Sequence, residues 1–164
     1  MLVGGPLREA GIDVALALEK PMAAVLGQLV SLEQVLVNLL VNAADALGGL
    51  RQGAPRLIRV AAAAEGGPTG ALVRLTVADT GGGIPAEILP RLFEPFVSTK
   101  DADRATGLGL SICHGLVKAM GGDITARNDG TGAVFTISLA AAPVVAEAAA
   151  VYSGLRSEVN AAPP

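Results

Sequence analysis

Two asparagines set four residues apart, Asn38 and Asn42, are the side chains of this 164-residue chain whose type and spacing first suggest chemistry. They belong to residues 31–47, where apolar residues recur at the spacing of one helical face, so we predict a helix there. On this helix Asn38, Asn42 and Asp45 share a face with Gln34. Because apolar residues flank this row, it is suited to holding a polar ligand.

A purely structural role is the alternative explanation for the same two asparagines. Asn lowers helix stability by roughly half a kcal/mol relative to Ala, so two of them need an offsetting use. One use is ligand binding; the other is hydrogen bonding to backbone where the helix meets a sheet. The helix alone does not decide between them. Ser31 and Gln34 are spaced as a capping box, so we expect the helix to begin at Ser31.

A carboxylate followed by glycines is the second candidate group. Asp79 comes at the end of a predicted strand, residues 72–78, and opens the sequence DTGGGIP. Three glycines in a row followed by Pro85 exclude a regular helix or strand. They also let the backbone come close to a ligand.

Familiar phosphate-binding loops do not explain these glycines. No Gly-Lys dipeptide occurs in the chain, which excludes a Walker-type loop. Gly81, Gly83 and Ala86 fit the letters of a Rossmann fingerprint. However, Pro85 and Pro90 bracket a short predicted helix, residues 85–92, that is too short for the crossover of a Rossmann fold.

A third candidate is the sequence TGLGLSICHGLVKAMGG, residues 106–122. Its glycines precede a predicted helix, and a glycine-rich helix start offers free backbone amides to an anion. Five side chains of this helix are expected to face the core: Ile112, Cys113, Leu116, Val117 and Met120. The polar residues 98–106 before it have little to bury, so we expect them to be mobile.

The remaining pattern predicts short strands. Residues 11–19 alternate, with Ile12, Val14, Leu16 and Leu18 on the side expected to be half-buried. Residues 57–62 and 72–78 are expected to pair as antiparallel strands. Residues 124–128 and 133–139 predict a hairpin across Asp129 and Gly130, with Phe135, Ile137 and Leu139 toward the core.

Composition excludes several classes of protein. With 51% hydrophobic residues, the chain can form one good core, and we predict one domain over residues 1–140 followed by an Ala/Pro-rich tail over residues 141–164. A net charge of −3 and 2% aromatic residues argue against a nucleic-acid partner. One cysteine and one histidine exclude an internal disulfide and a Cys/His zinc site, which fits the cytoplasm. We expect no direct membrane contact, because no run approaches the roughly 18 uncharged apolar residues of a span.

Four segments together resemble the ATP-binding catalytic domain of sensor histidine kinases, a family related more distantly to gyrase, Hsp90 and MutL. NLLVNAADA is similar to its N box, DTGGGIP to its first glycine box, FEPFVSTK to its F box and TGLGLSICHGLVKAMGGDI to its second glycine box. Their order and spacing also match, and the wording is most similar to the nitrogen-regulation and dicarboxylate-sensing branch. The resemblance covers about residues 11–139.

The resemblance implies the α/β (α+β) two-layer sandwich of the GHKL ATPases, called the Bergerat fold. In it a mixed, mostly antiparallel sheet carries helices on one face, with ATP held on the helical layer under a flexible lid. By this resemblance Asn38 and Asn42 would be catalytic and would bind the nucleotide together with Asp45. Asn42 would also bind Mg²⁺ through its side-chain oxygen. Asp79 would accept a hydrogen bond from the adenine amino group and so reject guanine.

Further ATP contacts follow from the two glycine boxes and the lid. Gly81, Gly83 and Ile84 would lie against the base. Lys100 would contact phosphates from the lid, although a solvated lysine is an equal alternative. Five residues at the start of the second glycine box would bind the phosphates, mostly through backbone amides: Thr106, Gly107, Leu108, Gly109 and Leu110. The family usually has a further lid glycine where this chain has Ala105, so we expect weaker nucleotide binding.

The resemblance also implies the partners. The γ-phosphate would go to a histidine on a separate phosphoacceptor dimerisation domain, and then to a response regulator. His114 lies in the second glycine box and is expected to be a packing or outward residue, not the phosphoacceptor. Two other functions stay open: an anti-sigma-like serine kinase or protein-binding switch, and a nucleotide-sensing module without transfer activity.

Overall fold

A computed structural model of the chain describes residues 4–19, 24–67, 70–97 and 107–142. In chain order the elements are α1 (Gly4–Glu9), β1 (Asp13–Leu18), α2 (Leu29–Gly48), β2 (Leu57–Gly67), β3 (Gly70–Asp79), a 3₁₀ turn (Leu89–Arg91), α3 (Gly109–Ala119), β4 (Asp123–Asn128) and β5 (Ala133–Ala140). The predicted mobile stretch, residues 98–106, lies outside these ranges. So does the tail after residue 142, and the domain boundary at residue 140 stays a prediction.

The five strands form one sheet in the order β1-β2-β3-β5-β4. The β1 and β2 strands are parallel, whereas the other three neighbouring pairs are antiparallel. The predicted mixed, mostly antiparallel sheet is therefore confirmed, as are the β2–β3 pair and the β4–β5 hairpin. The sequence analysis did not predict α1.

The core lies between one face of this sheet and the two long helices. From α2 it takes Val35, Leu39, Ala43 and Leu47, which recur at helical spacing and are buried. From the sheet it takes side chains at alternate positions of β5: Phe135, Ile137 and Leu139. Burying these apolar side chains provides the main driving force for the two layers to pack together. The predicted core residues of β5 are thus confirmed.

The edge strand β1 differs from its prediction. Ile12, just before the strand, is buried, but Val14, Leu16 and Leu18 are 41%, 54% and 48% exposed. They pair with Ile58, Val60 and Ala62 of β2 and so point to the helix-covered face of the sheet. Because α2 lies across β2 and β3, it leaves this edge of the face uncovered.

Three local predictions are also wrong. The α2 helix begins at Leu29, two residues before the expected capping box, and its N-cap residue Gln28 makes no side-chain capping bond. Residues 85–92 form turns and the 3₁₀ segment Leu89–Arg91 rather than a short α-helix. On α3, Cys113 and Val117 are buried as expected, but Ile112 is 43% exposed.

By length and composition alone, α2 could cross a membrane, a test that core helices of soluble proteins also pass. Here one face of the helix packs on the sheet. Val35 and Leu47 are fully buried, and Leu39 is 1% exposed. The helix also carries Glu33 and Asp45 on its exposed surface. That surface also includes Leu29, Val30, Val37 and Val41, so burial over the core accounts for only part of the hydropathy of α2.

Candidate functional site

A buried carboxylate lies where β3 ends. Asp79 is 6% exposed, and its Oδ1 accepts hydrogen bonds from the backbone amides of Gly81 at 2.8 Å and Ala133 at 3.3 Å. Burial raises the pKa of Asp79, the two amide bonds oppose that shift, and the negative charge of Asp129 adds a smaller increase. Within the described ranges both hydrogen bonds end on Oδ1, which leaves Oδ2 for a ligand.

Two glycines make room for this carboxylate. A Cβ on Gly81 would lie 2.6 Å from the Cβ of Ala46 on α2, and a Cβ on Gly132 would lie 2.6 Å from Oδ1 of Asp79. Any side chain at either position would have to displace a neighbour. The carboxylate is therefore fixed between α2 and the turn that joins β4 to β5.

The glycine loop after Asp79 has a left-handed backbone. Gly82 and Gly83 have φ of 86° and 89°, values that a side chain strongly disfavours. The amide of Gly82 donates to the carbonyl of Thr131 at 3.2 Å. Ile84 makes two hydrogen bonds of 2.8 Å with the side chain of Asn128, one through its amide and one through its carbonyl. The loop is thus held by the β4–β5 turn.

The asparagine face of α2 lies beside the start of α3, and its role as a ligand site stays a prediction. Asn38 is half-buried, and its Nδ2 donates to the carbonyl of Gly109 at 3.5 Å, where α3 begins. Asn38 also bonds to Cys113, an interaction that lowers the pKa of this thiol but does not offset the larger increase caused by its burial. Asn38 therefore has a structural role between the helices, while Asn42 is half-buried and Asp45 exposed farther along α2.

The start of α3 is tied to the F-box segment. Gly107 has φ of 66°, and a Cβ there would lie 2.7 Å from the backbone of Phe96, whose amide donates to the carbonyl of Gly107 at 3.0 Å. The helix proper begins at Gly109, after Leu108. The first amides of any helix have no partner within it, so Gly109 and Leu110 can offer theirs to an anion. Lys100, Ala105 and Thr106 lie outside the described residues.

The helix α2 brings these parts together. Ala46 contacts the loop at Gly81, while Asn38 contacts the start of α3 at Gly109. Eight residues separate these two contacts, or about 12 Å along the helix axis. A nucleotide can span that distance with its base at one contact and its phosphates at the other.

The described side chains do not form a metal site by themselves. Within the ranges that the structure covers, no three His, Cys, Asp or Glu side chains come together to hold an ion. The amide oxygen of Asn42 is a hard ligand of the kind that Mg²⁺ accepts, and the other ligands would be phosphate and water oxygens. The donor set thus fits a metal that arrives with a nucleotide.

Sequence analysis missed the residues that hold Asp79 and the loop that follows it. Asn128, Gly132 and the amide of Ala133 all contact the Asp79 loop. The only signal for them was the Asp129-Gly130 pair, which marks a turn but not its contacts. His114 stacks on Phe93, with ring centroids 5.6 Å apart, which confirms that it is a packing residue.

Comparison with known proteins identifies the relatives of this chain. Residues 27–143 match the family model described as histidine kinase-, DNA gyrase B- and HSP90-like ATPase. The two-component sensor PprA of Pseudomonas aeruginosa is 46% identical over 138 residues, which cover 84% of this chain and 15% of PprA. The sensor kinase CckA of Brucella abortus is 42% identical over 80% of this chain and 15% of CckA. The chain thus spans a small part of these proteins.

Solved structures show the same architecture. The nucleotide-free catalytic domain of the histidine kinase ThkA superposes with a TM-score of 0.70 at 31% identity, over 85% of this chain and 86% of that domain. Full-length ShkA in complex with AMPPNP superposes with a TM-score of 0.69 at 33% identity, over 87% of this chain and 29% of ShkA. The expected α/β fold is therefore confirmed.

Proposed function

Because the chain belongs to the family of histidine kinase-, DNA gyrase B- and HSP90-like ATPases and forms the ATP-binding catalytic domain of a two-component sensor histidine kinase, we propose that it positions Mg-ATP for transfer of the γ-phosphoryl group to a histidine of a separate phosphoacceptor domain. The attacking imidazole nitrogen forms a bond to the γ-phosphorus, the bond to the bridging oxygen breaks, and ADP leaves. Such a transfer needs mainly positioning and charge stabilisation.

Asp79 is the observation that carries this proposal. Its carboxylate is buried, its Oδ1 is occupied by two backbone amides, and its Oδ2 can accept the amino group of adenine. A guanine base has a carbonyl oxygen at that position, which a carboxylate repels. The structure of ShkA with AMPPNP, an adenine nucleotide, supports this choice of base for a related protein.

The phosphates would lie between α2 and the start of α3. The first amides of α3, those of Gly109 and Leu110, suit their negative charge, and the left-handed Gly107 places the chain where α3 can begin. Asn42 would bind a Mg²⁺ ion through its oxygen, and the ion would neutralise phosphate charge. Asn38 holds the start of α3 and thereby orients these amides.

The phosphoacceptor domain would dock beside the phosphates. Phe96, whose amide bonds to Gly107, is 77% exposed, and Ile112 near the start of α3 is 43% exposed. Exposed apolar side chains near a reaction site favour a protein partner there. A response regulator would then accept the phosphoryl group from the histidine, and the site would face the cytoplasm, where ATP is present.

Calorimetry and a transfer assay test the proposal. We expect the chain to bind ATP more tightly than GTP, and Asn42→Ala to lose most of the Mg²⁺-dependent part of the ATP affinity. The matched control Val41→Ala changes an exposed neighbour on the same helix and should bind like the unaltered protein. Equal heats for ATP and GTP would contradict the role of Asp79.

The transfer assay adds labelled ATP and a separately produced phosphoacceptor domain of a related sensor kinase. Acid-labile label on that domain supports the histidine kinase, and no label is expected on the chain alone. Acid-stable label on a protein serine would favour the anti-sigma-like alternative. ATP binding without transfer to any such domain would favour a nucleotide-sensing module.

A further inference from the structure

We propose that Asn128, together with the turn that follows it, is a positioning residue that sets the base end of the nucleotide site. This inference rests on the proposed function, since the loop that it holds is the one expected to meet adenine. Asn128 lies at the end of β4, and Ile84 lies 44 positions earlier in the chain. The contact is therefore made by the fold, not by local sequence.

The side chain of Asn128 pairs with Ile84 as a strand neighbour would. Its Oδ1 accepts from the amide of Ile84 and its Nδ2 donates to the carbonyl of Ile84, both at 2.8 Å. A carboxamide offers one acceptor and one donor side by side, whereas a carboxylate offers acceptors only. Both bonds are solvent-exposed, so each contributes modestly, but together they fix the two peptide units on either side of Ile84.

The neighbouring glycine shows that this contact is close. Gly83 has φ of 89°, and a Cβ on it would lie 2.8 Å from Oδ1 of Asn128. The amide of Gly82 donates to the carbonyl of Thr131 in the same turn. The loop after Asp79 thus touches the β4–β5 turn at three successive residues.

Asp129 keeps that turn in one conformation. Its Oδ1 accepts from the amide and hydroxyl of Thr131 at 2.9 and 2.7 Å and from the amide of Gly132 at 3.1 Å. These bonds lower the pKa of Asp129 to about 2, so the carboxylate stays charged at any pH used for binding. The same turn contacts Asp79 through Gly132 and Ala133. The loop is thereby held at Asp79 and at Ile84 by one hairpin.

If Asn128 positions the loop, its loss should affect the base end of the site and not the phosphate end. Asn128→Ala and Asn128→Asp should each weaken the binding of ADP and the binding of ATP by the same factor, about fivefold to thirtyfold. The Mg²⁺ dependence of ATP binding should stay unchanged. Thr125→Ala is the matched control, because Thr125 is an exposed residue of the same strand. It should bind within about twofold of the unaltered protein.

Calorimetry on the full chain measures these affinities, and amide hydrogen exchange without nucleotide measures the loop directly. The amide of Ile84 should exchange at least about tenfold faster in Asn128→Ala than in Thr125→Ala. A folded Asn128→Ala protein that binds ADP within twofold of the control, or whose Ile84 amide is equally protected, overturns the inference. If the unaltered chain binds no nucleotide, the proposed function fails, and the exchange rate of Ile84 still decides whether Asn128 holds the loop.

Discussion

Gly132 lies against Asp79 so closely that a Cβ on Gly132 would come within 2.6 Å of the Asp79 Oδ1 and would also strike the Asp79 carbonyl oxygen. Both residues are buried, and both belong to strands or turns fixed by hydrogen bonds to neighbours. Neither residue can move without disturbing the sheet. The position of the Asp79 carboxylate therefore depends on a residue that has no side chain.

Gly132→Ala should consequently destabilise the protein and impair nucleotide binding together. Overpacking of this kind typically costs about 1–3 kcal/mol. Gly115→Ala is the control. Gly115 lies on the exposed side of α3, and a Cβ added there would meet nothing within 4 Å, so alanine should stabilise the helix by up to about 1 kcal/mol. Denaturant unfolding of both variants measures the difference. A Gly132→Ala protein as stable as Gly115→Ala would show that the turn adjusts freely.

Asp79→Asn should separate stability from binding. Burial raises the pKa of Asp79 above its ordinary value of 3.8, so in the folded state the charged form is disfavoured. Below pH 3.8 both folded and unfolded chains hold the proton and this penalty is absent. It grows as pH rises above 3.8, where the unfolded chain loses the proton first, and it is complete above the raised pKa. The Asp79→Asn protein, which carries no charge at this position, should therefore be more stable than the unaltered one at neutral pH, with the gain disappearing in acid.

The same substitution should weaken binding. Because the amide oxygen of the new side chain must accept from Gly81 and Ala133, its NH₂ turns toward the adenine amino group, and two donors clash. A loss of about tenfold to a hundredfold is expected for ATP and ADP alike. Thermal unfolding from pH 4 to pH 8 and calorimetry at pH 7.5 provide the two readouts. An Asp79→Asn protein that is less stable at pH 7 than the unaltered one would contradict the stability prediction, and one that binds ATP normally would contradict the binding prediction.

The order of the five strands and the two long helices, and the buried residues of β5, could be predicted from the sequence because they depend on local periodicity. The sequence also singled out Asp79 at the end of β3, and its role in binding adenine stays a proposal. The predicted half-burial of Val14, Leu16 and Leu18 on β1 was wrong. Alternation shows that a strand has an apolar side, but not whether a helix reaches the edge of the sheet. The membership in the nitrogen-regulation and dicarboxylate-sensing branch stays a prediction.

The contacts of Asn38 and Asn128 could not be predicted for a different reason. Each asparagine bonds to backbone far away in sequence, Asn38 to Gly109 and Asn128 to Ile84. Such pairings are set by how helices and strands pack, and a side chain with one donor and one acceptor fits many surroundings. Of the two interpretations of Asn38, the structure supports a backbone contact between helices, and its proposed part in binding ATP is indirect.

The N-terminus of α2 offers a gain in stability. Gln28 has the extended backbone of an N-cap residue, with φ of −88° and ψ of 121°, but makes no capping bond, and the first turn carries no acidic residue. Gln28→Asp should cap the helix and favour its dipole, raising stability by about 1 kcal/mol. Gln52→Asp, the same change at an exposed turn, should have an effect within about 0.5 kcal/mol. Equal melting temperatures for the two variants would contradict the capping argument.

Phe96 combines an unfavourable backbone with an exposed aromatic ring. Its φ is 66°, and in the described ranges it is the one residue other than glycine with a positive φ. Its ring is 77% exposed, so packing does not repay the strain. In the left-handed region glycine avoids a steric penalty of about 1–2 kcal/mol that any residue with a Cβ carries. Comparing Gly and Ala at this position therefore isolates the strain from the loss of the ring.

Phe96→Gly should be more stable than Phe96→Ala by about 1 kcal/mol, the reverse of the usual order of these residues. Both variants remove the ring, so both should reduce transfer to the phosphoacceptor domain equally while leaving ATP affinity unchanged. Denaturant unfolding, calorimetry and the labelled transfer assay measure the three quantities. If the Phe96→Ala protein is the more stable of the two, the positive φ at this position is not maintained in solution. If transfer is normal in both, Phe96 does not touch the partner, and the strain at the junction with Gly107 serves only to start α3.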